Sequence, residues 1–205
     1  MIVIDVETLG HDPKKHALLS IGAVEFENPS NQFYGECRAW EGSEVYQGDG
    51  VYYGNSLEIN GLTWEQATNP NRLPLKKVIK QFFEWVNACK SSKVMIALHP
   101  WFDMGYLKDA AKRAHLKYPL KMRTLDLHTL CFTRIIQLNS YSLLSNNPDL
   151  NTARIMNFVG LPEEPKPHHG LTGAKMEAEA FSRLLYGKNL LEEFKKYPLP
   201  KELLK

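Results

Sequence analysis

Two carboxylates stand two residues apart near the start of the chain, Asp5 and Glu7, in a run that otherwise consists mainly of strand-forming apolar residues. Residues 1–6 predict a buried strand, and side chains two apart on a strand point to the same face. Like charges beside an apolar core are costly unless a positive charge neutralises them. Carboxylates are hard oxygen ligands, so the pair predicts a site for Mg²⁺ or Mn²⁺. The alternative is a strand whose tip emerges into solvent.

A third acid and a histidine extend this candidate site. Asp103 follows a short apolar run, residues 94–98, at the point where a strand gives way to a helix. Sites in α/β sheets assemble at such strand ends, although an acid there is also a favourable helix cap. His168 lies in a loop containing Pro and Gly before an apolar helix, and a neutral imidazole is a suitable general base near neutral pH. The alternative for His168 is a solvent-exposed loop residue.

The elements that must position these residues predict an α/β fold. Strands over residues 1–6, 17–27 and 32–39 favour an antiparallel meander, because turn-forming residues separate the last two. Strands and helices then alternate, which predicts a mixed sheet with helices packed on it in a single domain over residues 1–205. The later strands are predicted over residues 94–98 and 123–127. The helices are predicted over residues 73–90, 103–115, 149–159, 173–187 and 190–197. Two loops are predicted, a surface excursion over residues 41–61 and a flexible segment over residues 137–148.

The composition excludes several classes of protein. A net charge of +2 excludes a protein that binds nucleic acid through a generally basic surface. It still permits a local groove with a few phosphate contacts. Cys37, Cys89 and Cys131 form no CxxC pair, so we expect reduced thiols rather than a zinc site or a disulfide framework. No apolar run approaches the length of a membrane span and no signal peptide precedes the first strand, so we expect a soluble, cytoplasmic protein.

Taken in order, three segments resemble the motifs of the DEDDh 3′–5′ exonuclease family, which includes bacterial proofreading subunits, oligoribonuclease and RNase T. Residues Asp5–Thr8 match its D-x-E-T motif. Residues His99–Asp103 approach its N-x-x-F-D motif, with His99 in place of Asn, and residues His168–Ala174 align with its H-x-A-x-x-D-A motif. The segment Leu57–Thr63 is also similar to the family's segment before its first helix. The resemblance implies a ribonuclease H-like, mixed five-stranded sheet flanked by helices.

One position breaks the third motif. The family's aspartate falls on Gly173, and taking His169 as the motif histidine instead places Ala174 there. The His168 register is preferred because Ala174 then follows the acid's position as in the family. An engineered inactivating change, a natural departure and a substitute ligand each explain Gly173. Glu177 lies one helical turn further on, either as that substitute or as part of a solvated helix face.

The resemblance also implies a mechanism, in which two Mg²⁺ or Mn²⁺ ions straddle the scissile phosphate and nucleoside 5′-monophosphates leave from a 3′ end. Asp5, Glu7 and Asp103 would be the metal ligands, and His168 would be the general base. Gly173 then predicts weak binding of one metal and low turnover.

The expected partner is single-stranded or 3′-overhanging nucleic acid, bound by a monomer or a homodimer and without a membrane. The predicted substrate contacts are Thr8, Leu9, His99, Trp101 and Phe102, of which Trp101 and Phe102 are candidates for stacking on a base. A basic cluster is a further candidate for phosphate contacts or a solvated face, and it comprises Lys112, Arg113, Lys117, Lys121 and Arg123. Asp126 and His128 are predicted to be structural.

Two other functions compete with the exonuclease. Gly173 favours a catalytically inactive nucleic-acid-binding module on the same fold, whereas four intact motif positions argue against one. Another ribonuclease H-like phosphoryl-transfer enzyme, such as an endonuclease, is disfavoured by the histidine spacing of the third motif. No motif displays a preference for DNA or RNA, because that choice depends on contacts to the 2′-hydroxyl.

Overall fold

A mixed five-stranded sheet with the strand order β3-β2-β1-β4-β5 forms the centre of the structure, a computed structural model that describes residues 1–49, 54–140 and 150–204. The strands β1, β2 and β3 pair in antiparallel fashion, whereas β1 with β4 and β4 with β5 are parallel. The mixed sheet and the antiparallel meander are therefore confirmed. The strands are β1 (Ile2–Thr8), β2 (Leu18–Glu25), β3 (Gln32–Glu36), β4 (Met95–Ala97) and β5 (Thr124–Asp126).

Helices cover both faces of this sheet. Ile2, Ile4 and Val6 of β1 pack in one apolar cluster with residues of α3 and α4, and Val3 packs on the other side with residues of α5, α6 and α7. The helices are α1 (Ser56–Ile59), α2 (Trp64–Ala67), α3 (Leu75–Ala88), α4 (Pro100–Ala114), α5 (Leu127–Gln137), α6 (Thr152–Phe158) and α7 (Gly170–Tyr186). Among the described residues, no helix is long and apolar enough to cross a membrane.

Three boundaries differ from the prediction in ways that affect the site. Strand β1 continues to Thr8, so both early acids lie within the strand. Helix α4 begins at Pro100, where the fixed φ of proline suits a first helical position, and Asp103 therefore lies in the first turn rather than at the cap. Helix α7 begins at Gly170, three residues earlier than predicted, which brings Gly173 inside the helix.

Other differences lie away from the acids. Helix α5 was not predicted, and it begins because the Asp126 carboxylate accepts hydrogen bonds from the backbone N–H of His128 and the hydroxyl of Thr129, at 3.0 and 2.6 Å. The helix predicted over 190–197 is wrong, since only a 3₁₀ turn at Glu192–Phe194 forms there. The loop predicted over 137–148 falls mostly outside the described residues, and so do residues 50–53 of the predicted surface excursion.

Candidate active site

The two early acids lie on the face of the sheet that α7 covers. Asp5 and Glu7 continue the row of Val3 along β1, because alternate residues of a strand share a face. Asp103 reaches the same end of β1 from α4. It is 5% exposed, and its Oδ1 accepts a hydrogen bond from the Val6 N–H at 3.2 Å. Strand β4 pairs with β1 only at Ile2 and Val3, so this acid contacts a part of β1 that β4 does not pair with.

Glycines allow α7 to lie directly on the sheet. A Cβ at Gly22 of β2 would be 2.1 Å from the backbone of Gly170, the first residue of α7. One turn further, a Cβ at Gly173 would be 2.0 Å from Oδ2 of Asp5. Side chains at either position would push the helix and the strands apart, so these glycines place the helix backbone against the Asp5 carboxylate.

Two further acids complete the cluster. Glu177 of α7 is 6% exposed, and its Oε2 accepts a hydrogen bond from the Leu98 N–H at 3.2 Å, so the solvated-face alternative for this residue is wrong. Glu164 enters from the loop before α7, and its Oε1 is 3.3 Å from the position that a Cβ at Gly173 would take. Glu164 was not predicted as a site residue, because it belongs to no motif and follows no helical or strand period.

His168, rather than His169, contributes to the site. The backbone N–H of His168 donates to the Ile59 carbonyl at 2.9 Å, and its Nδ1 lies 3.7 Å from Oε2 of Glu164. Ligand atoms of Glu7, Glu164 and His168 all lie within 4.8 Å of one another. The ring of His169 instead stacks on Tyr34, with ring centroids 4.1 Å apart.

These groups line a cavity of about 660 Å³ with aromatic residues at one wall. Trp101 lines it with 70% of its surface exposed, whereas Phe102 is half-buried and packs against Tyr106 with ring centroids 5.1 Å apart. His99, also in the lining, is exposed and lies 5.8 Å from the ring of His128. Among the described residues that line the cavity, Trp101 therefore carries the more exposed of the two large aromatic rings.

The two other predicted substrate contacts, Thr8 and Leu9, differ in whether they line the cavity. Thr8 lines the cavity, and its hydroxyl donates to the Gly10 carbonyl at 2.7 Å. Leu9 has no exposed surface and packs in a separate apolar cluster, while its N–H and carbonyl bond to Ala17 and Tyr46. The structure therefore places Leu9 outside the lining of the cavity, whereas Thr8 lies in it. None of the five residues of the basic cluster is among the described residues that line the cavity.

Burial raises the pKa of every acid in the cluster, and repulsion from neighbouring carboxylates adds to this for Asp5, Glu7 and Glu177. Desolvation and then the neighbouring carboxylate of Glu7 raise the pKa of Asp5 well above its usual value. Desolvation also raises the pKa of Glu7 to about 8 and that of Asp103 to about 7. Glu164 and Glu177 have raised pKa values for the same first reason. Within the described ranges, no Lys or Arg side chain forms an ion pair with any of these five acids, so their charge is uncompensated by protein cations.

The donor set suits a divalent cation. It consists mainly of carboxylate oxygens at the end of a parallel strand pair, which are hard ligands suited to Mg²⁺ or Mn²⁺, with one imidazole beside them. A cation there would also offset the repulsion that raises the pKa values of the acids. The residues present therefore fit a divalent cation.

Comparison with known proteins finds relatives among 3′-5′ exonucleases. The sequence matches the family described as the 3′-5′ exoribonuclease Rv2179c-like domain over residues 1–185. The 3′-5′ DNA exonuclease Cap18 of Escherichia coli is 26% identical over 183 residues, which cover 88% of each chain. Ribonuclease T of Photobacterium profundum is 31% identical over 130 residues, which cover 57% of this chain and 54% of that protein.

A solved structure shares the fold. The nuclease domain of 3′hExo, a DEDDh family member determined with bound rAMP, superposes with a TM-score of 0.61 and 18% sequence identity, covering 93% of this chain and 94% of that one. The shared fold is the ribonuclease H-like arrangement that the motifs imply. Since the family match extends over residues 1–185, this chain belongs to the Rv2179c-like 3′-5′ exoribonuclease domain family, among the DEDDh 3′–5′ exonucleases.

Proposed function

We propose that this chain hydrolyses single-stranded nucleic acid from its 3′ end, with a divalent cation and His168, and releases nucleoside 5′-monophosphates. The observation that carries the proposal is the convergence of five carboxylates and His168 on one open cavity. Relatives act on different nucleic acids by name, since Cap18 is called a DNA exonuclease and the family an exoribonuclease. The experiment below therefore uses both substrates.

Asp5, Glu7 and Asp103 would hold the divalent cations, Mg²⁺ or Mn²⁺, two to a site. Bound there, such ions stabilise the charge that develops on the attacking and leaving oxygens of an in-line displacement. The protein contributes a fixed arrangement, because Asp103 is buried and bonded to the β1 backbone while Asp5 lies against the backbone of α7. Little reorganisation is then needed when substrate binds.

His168 would accept the proton of the attacking water. Its side chain is 33% exposed at the cavity, so water and substrate can reach it, and its main chain is held by the Ile59 carbonyl. A neutral imidazole accepts a proton near neutral pH, which the carboxylates do poorly when they are engaged as ligands.

The exposed ring of Trp101 would stack on a base near the 3′ end, and His99 and Thr8 would lie along the same lining. Base stacking on an aromatic ring tolerates any sequence, because every base presents a π-face. This arrangement suits an enzyme that removes successive nucleotides regardless of their identity.

The test is a digestion of two oligonucleotides, one RNA and one DNA, each labelled at the 5′ end. We expect a ladder that shortens from the 3′ end with Mn²⁺, no ladder with EDTA, and no ladder from the His168→Ala variant at neutral pH. His169→Ala is the matched control, since it removes the neighbouring imidazole that stacks on Tyr34 instead of lining the cavity.

A circular single strand, which has no 3′ end, separates the exonuclease from an endonuclease. Cleavage of the circle would overturn the exonuclease assignment. Binding of both linear oligonucleotides without Mn²⁺-dependent shortening would instead favour the inactive binding module that Gly173 suggests.

A further inference from the structure

The space that a side chain at Gly173 would occupy is already filled by two carboxylates. A Cβ built there would lie 2.0 Å from Oδ2 of Asp5 and 3.3 Å from Oε1 of Glu164. The first distance is far inside van der Waals contact, so an acid at 173 could enter only if Asp5 moved. We call the space beside the Gly173 backbone the Gly173 cleft. The carboxylates of Asp5 and Glu164 occupy it, at the position where the family carries its fourth acid.

Glu164 faces the cation space from this cleft. The residue comes from the loop before α7, and its side chain is only 12% exposed. One oxygen lies 3.7 Å from Nδ1 of His168, and ligand atoms of Glu164, Glu7 and His168 lie within 4.8 Å of one another. A carboxylate in this place can share a cation with Glu7.

Glu177 is the other acid available, and its surroundings differ. Its Oε2 is engaged by the Leu98 N–H at the end of β4, at 3.2 Å. It is also absent from the atoms nearest to the Gly173 position, which belong to Asp5 and Glu164. Glu177 therefore lies on the β4 side of the cluster, whereas Glu164 lies at the Gly173 cleft.

We propose that Glu164 supplies the carboxylate that the family carries at the position of Gly173, as a ligand of the cation that Glu7 binds. The proposal rests on the metal-dependent function proposed above. Glycine at 173 is then the partner of Glu164 rather than a lost ligand, because a side chain at 173 and the Glu164 carboxylate compete for one space. The substitute ligand is Glu164 from the loop before α7. The missing side chain at Gly173 of α7 leaves room for its carboxylate.

Mn²⁺ binding measured by electron paramagnetic resonance on the whole chain, without nucleic acid, tests this directly. We expect Glu164→Gln to weaken the affinity for Mn²⁺ by more than about 100-fold, because loss of a residue that only orients a ligand costs about 10- to 100-fold. Glu84→Gln is the control, because it removes the same charge from an exposed position on α3 outside the cavity lining, and it should leave the affinity unchanged. Unchanged affinity in Glu164→Gln, with a loss in Glu177→Gln, would overturn the proposal.

A double-substitution cycle gives a second, independent test. Glu164→Ala should weaken Mn²⁺ binding, and Gly173→Asp alone should not strengthen it, because the new side chain meets Asp5 and Glu164. With Glu164→Ala already present, the side chain of Gly173→Asp meets only the Asp5 carboxylate, which can rotate away, so the second change should recover part of the lost affinity. Equal effects of Gly173→Asp in the two backgrounds would contradict competition for one space. Thermal unfolding with EDTA verifies that each variant is folded.

Digestion of 5′-labelled oligonucleotides by the same variants separates this proposal from the proposed function. Weaker Mn²⁺ binding in Glu164→Gln supports the ligand role even if the unaltered chain shortens no oligonucleotide. Conversely, normal Mn²⁺ affinity with a shifted pH–rate profile would mean that Glu164 only orients His168. That result would overturn the ligand role and leave the exonuclease intact.

Discussion

Acidic residues lie at both ends of the β1–β2 pair, buried at one end and half-buried at the other, and their surroundings shift their pKa values in opposite directions. At one end Glu25, opposite Ile2, is 3% exposed. Its carboxylate accepts hydrogen bonds from the Asn31 amide and from both the N–H and the hydroxyl of Ser91, at 2.7 to 2.9 Å. Burial acts to raise the pKa of Glu25, but these hydrogen bonds outweigh it and lower the pKa to about 2. This acid is satisfied by the protein itself.

At the other end of the pair, Asp5 and Glu7 have carboxylates as neighbours in place of donors. Desolvation and repulsion raise the pKa of both. The contrast shows that burial alone does not decide the charge of a carboxylate, because the available donors do. At the Glu25 end, the hydrogen-bond donors make the carboxylate stabilising. At the Asp5 and Glu7 end, the repulsion between carboxylates is destabilising until a cation binds there.

The largest effect that the comparison predicts is on activity. Asp5→Asn should lower the rate of 3′ shortening about 1,000-fold, since cation-based charge stabilisation is worth several kcal/mol. Glu25→Gln at the opposite end should change that rate less than twofold. Single-turnover digestion of a labelled oligonucleotide with Mn²⁺ measures both rates. Similar losses of rate in the two variants would contradict the conclusion that only the Asp5 and Glu7 end acts in catalysis.

The next effect is on stability, at the Glu25 end. Glu25→Ala should lower the free energy of unfolding by about 2 kcal/mol, because it leaves the half-buried Asn31 and Ser91 donors without their acceptor. Urea unfolding at pH 7 measures the change. The Mn²⁺ affinity of this variant should be unchanged, and a marked loss of affinity would show that the two ends are coupled.

The pH dependence of stability should have opposite signs at the two ends. The pKa of Glu25 is lowered to about 2, so its contribution is present above the unfolded value of about 4.5 and is lost as the pH falls towards 2. The pKa of Glu7 is raised to about 8, so without metal the stability falls as the pH rises from about 4.5 to 8, by about 2 kcal/mol after allowance for its partial exposure. The free energy of unfolding, measured with urea in EDTA at pH 3, 5 and 8, should therefore be highest at pH 5.

Excess Mn²⁺ sharpens this test. It should remove most of the loss between pH 5 and 8, because a cation competes with protons for the same carboxylates. It should leave the acid limb below pH 4.5 unchanged. A stability that rises steadily to pH 8 in EDTA would mean that the site acids are not destabilising.

The smallest expected effect comes from Glu177→Gln. The amide keeps an oxygen to accept the Leu98 N–H and loses the charge, so the free energy of unfolding at pH 8 in EDTA should rise by about 1 kcal/mol. The matched change Glu25→Gln should lower it, because donors there face a charged acceptor. Two changes of the same sign would contradict the comparison.

Much of the fold and part of the site could be predicted locally. The alternation of β1 places Asp5 and Glu7 on one face whatever the rest of the chain does, and the order of the three motifs identifies the family. The burial of Leu9 and the burial of Glu177 depend on contacts with distant segments, which no local period encodes. Helix α5 differs from them, because the Asp126 side chain caps its first turn locally and that cap was overlooked.

The sequence by itself therefore determined which strand carries the first acids, which face they share and which family they belong to. Only the tertiary structure decided that Glu164 enters the cleft beside Gly173 and that Glu25 is satisfied by Ser91. Spacing along one element is set by backbone geometry and can be read from the chain. The partner of a buried charge is set by packing between segments far apart in sequence, and it becomes known only when the chain is folded.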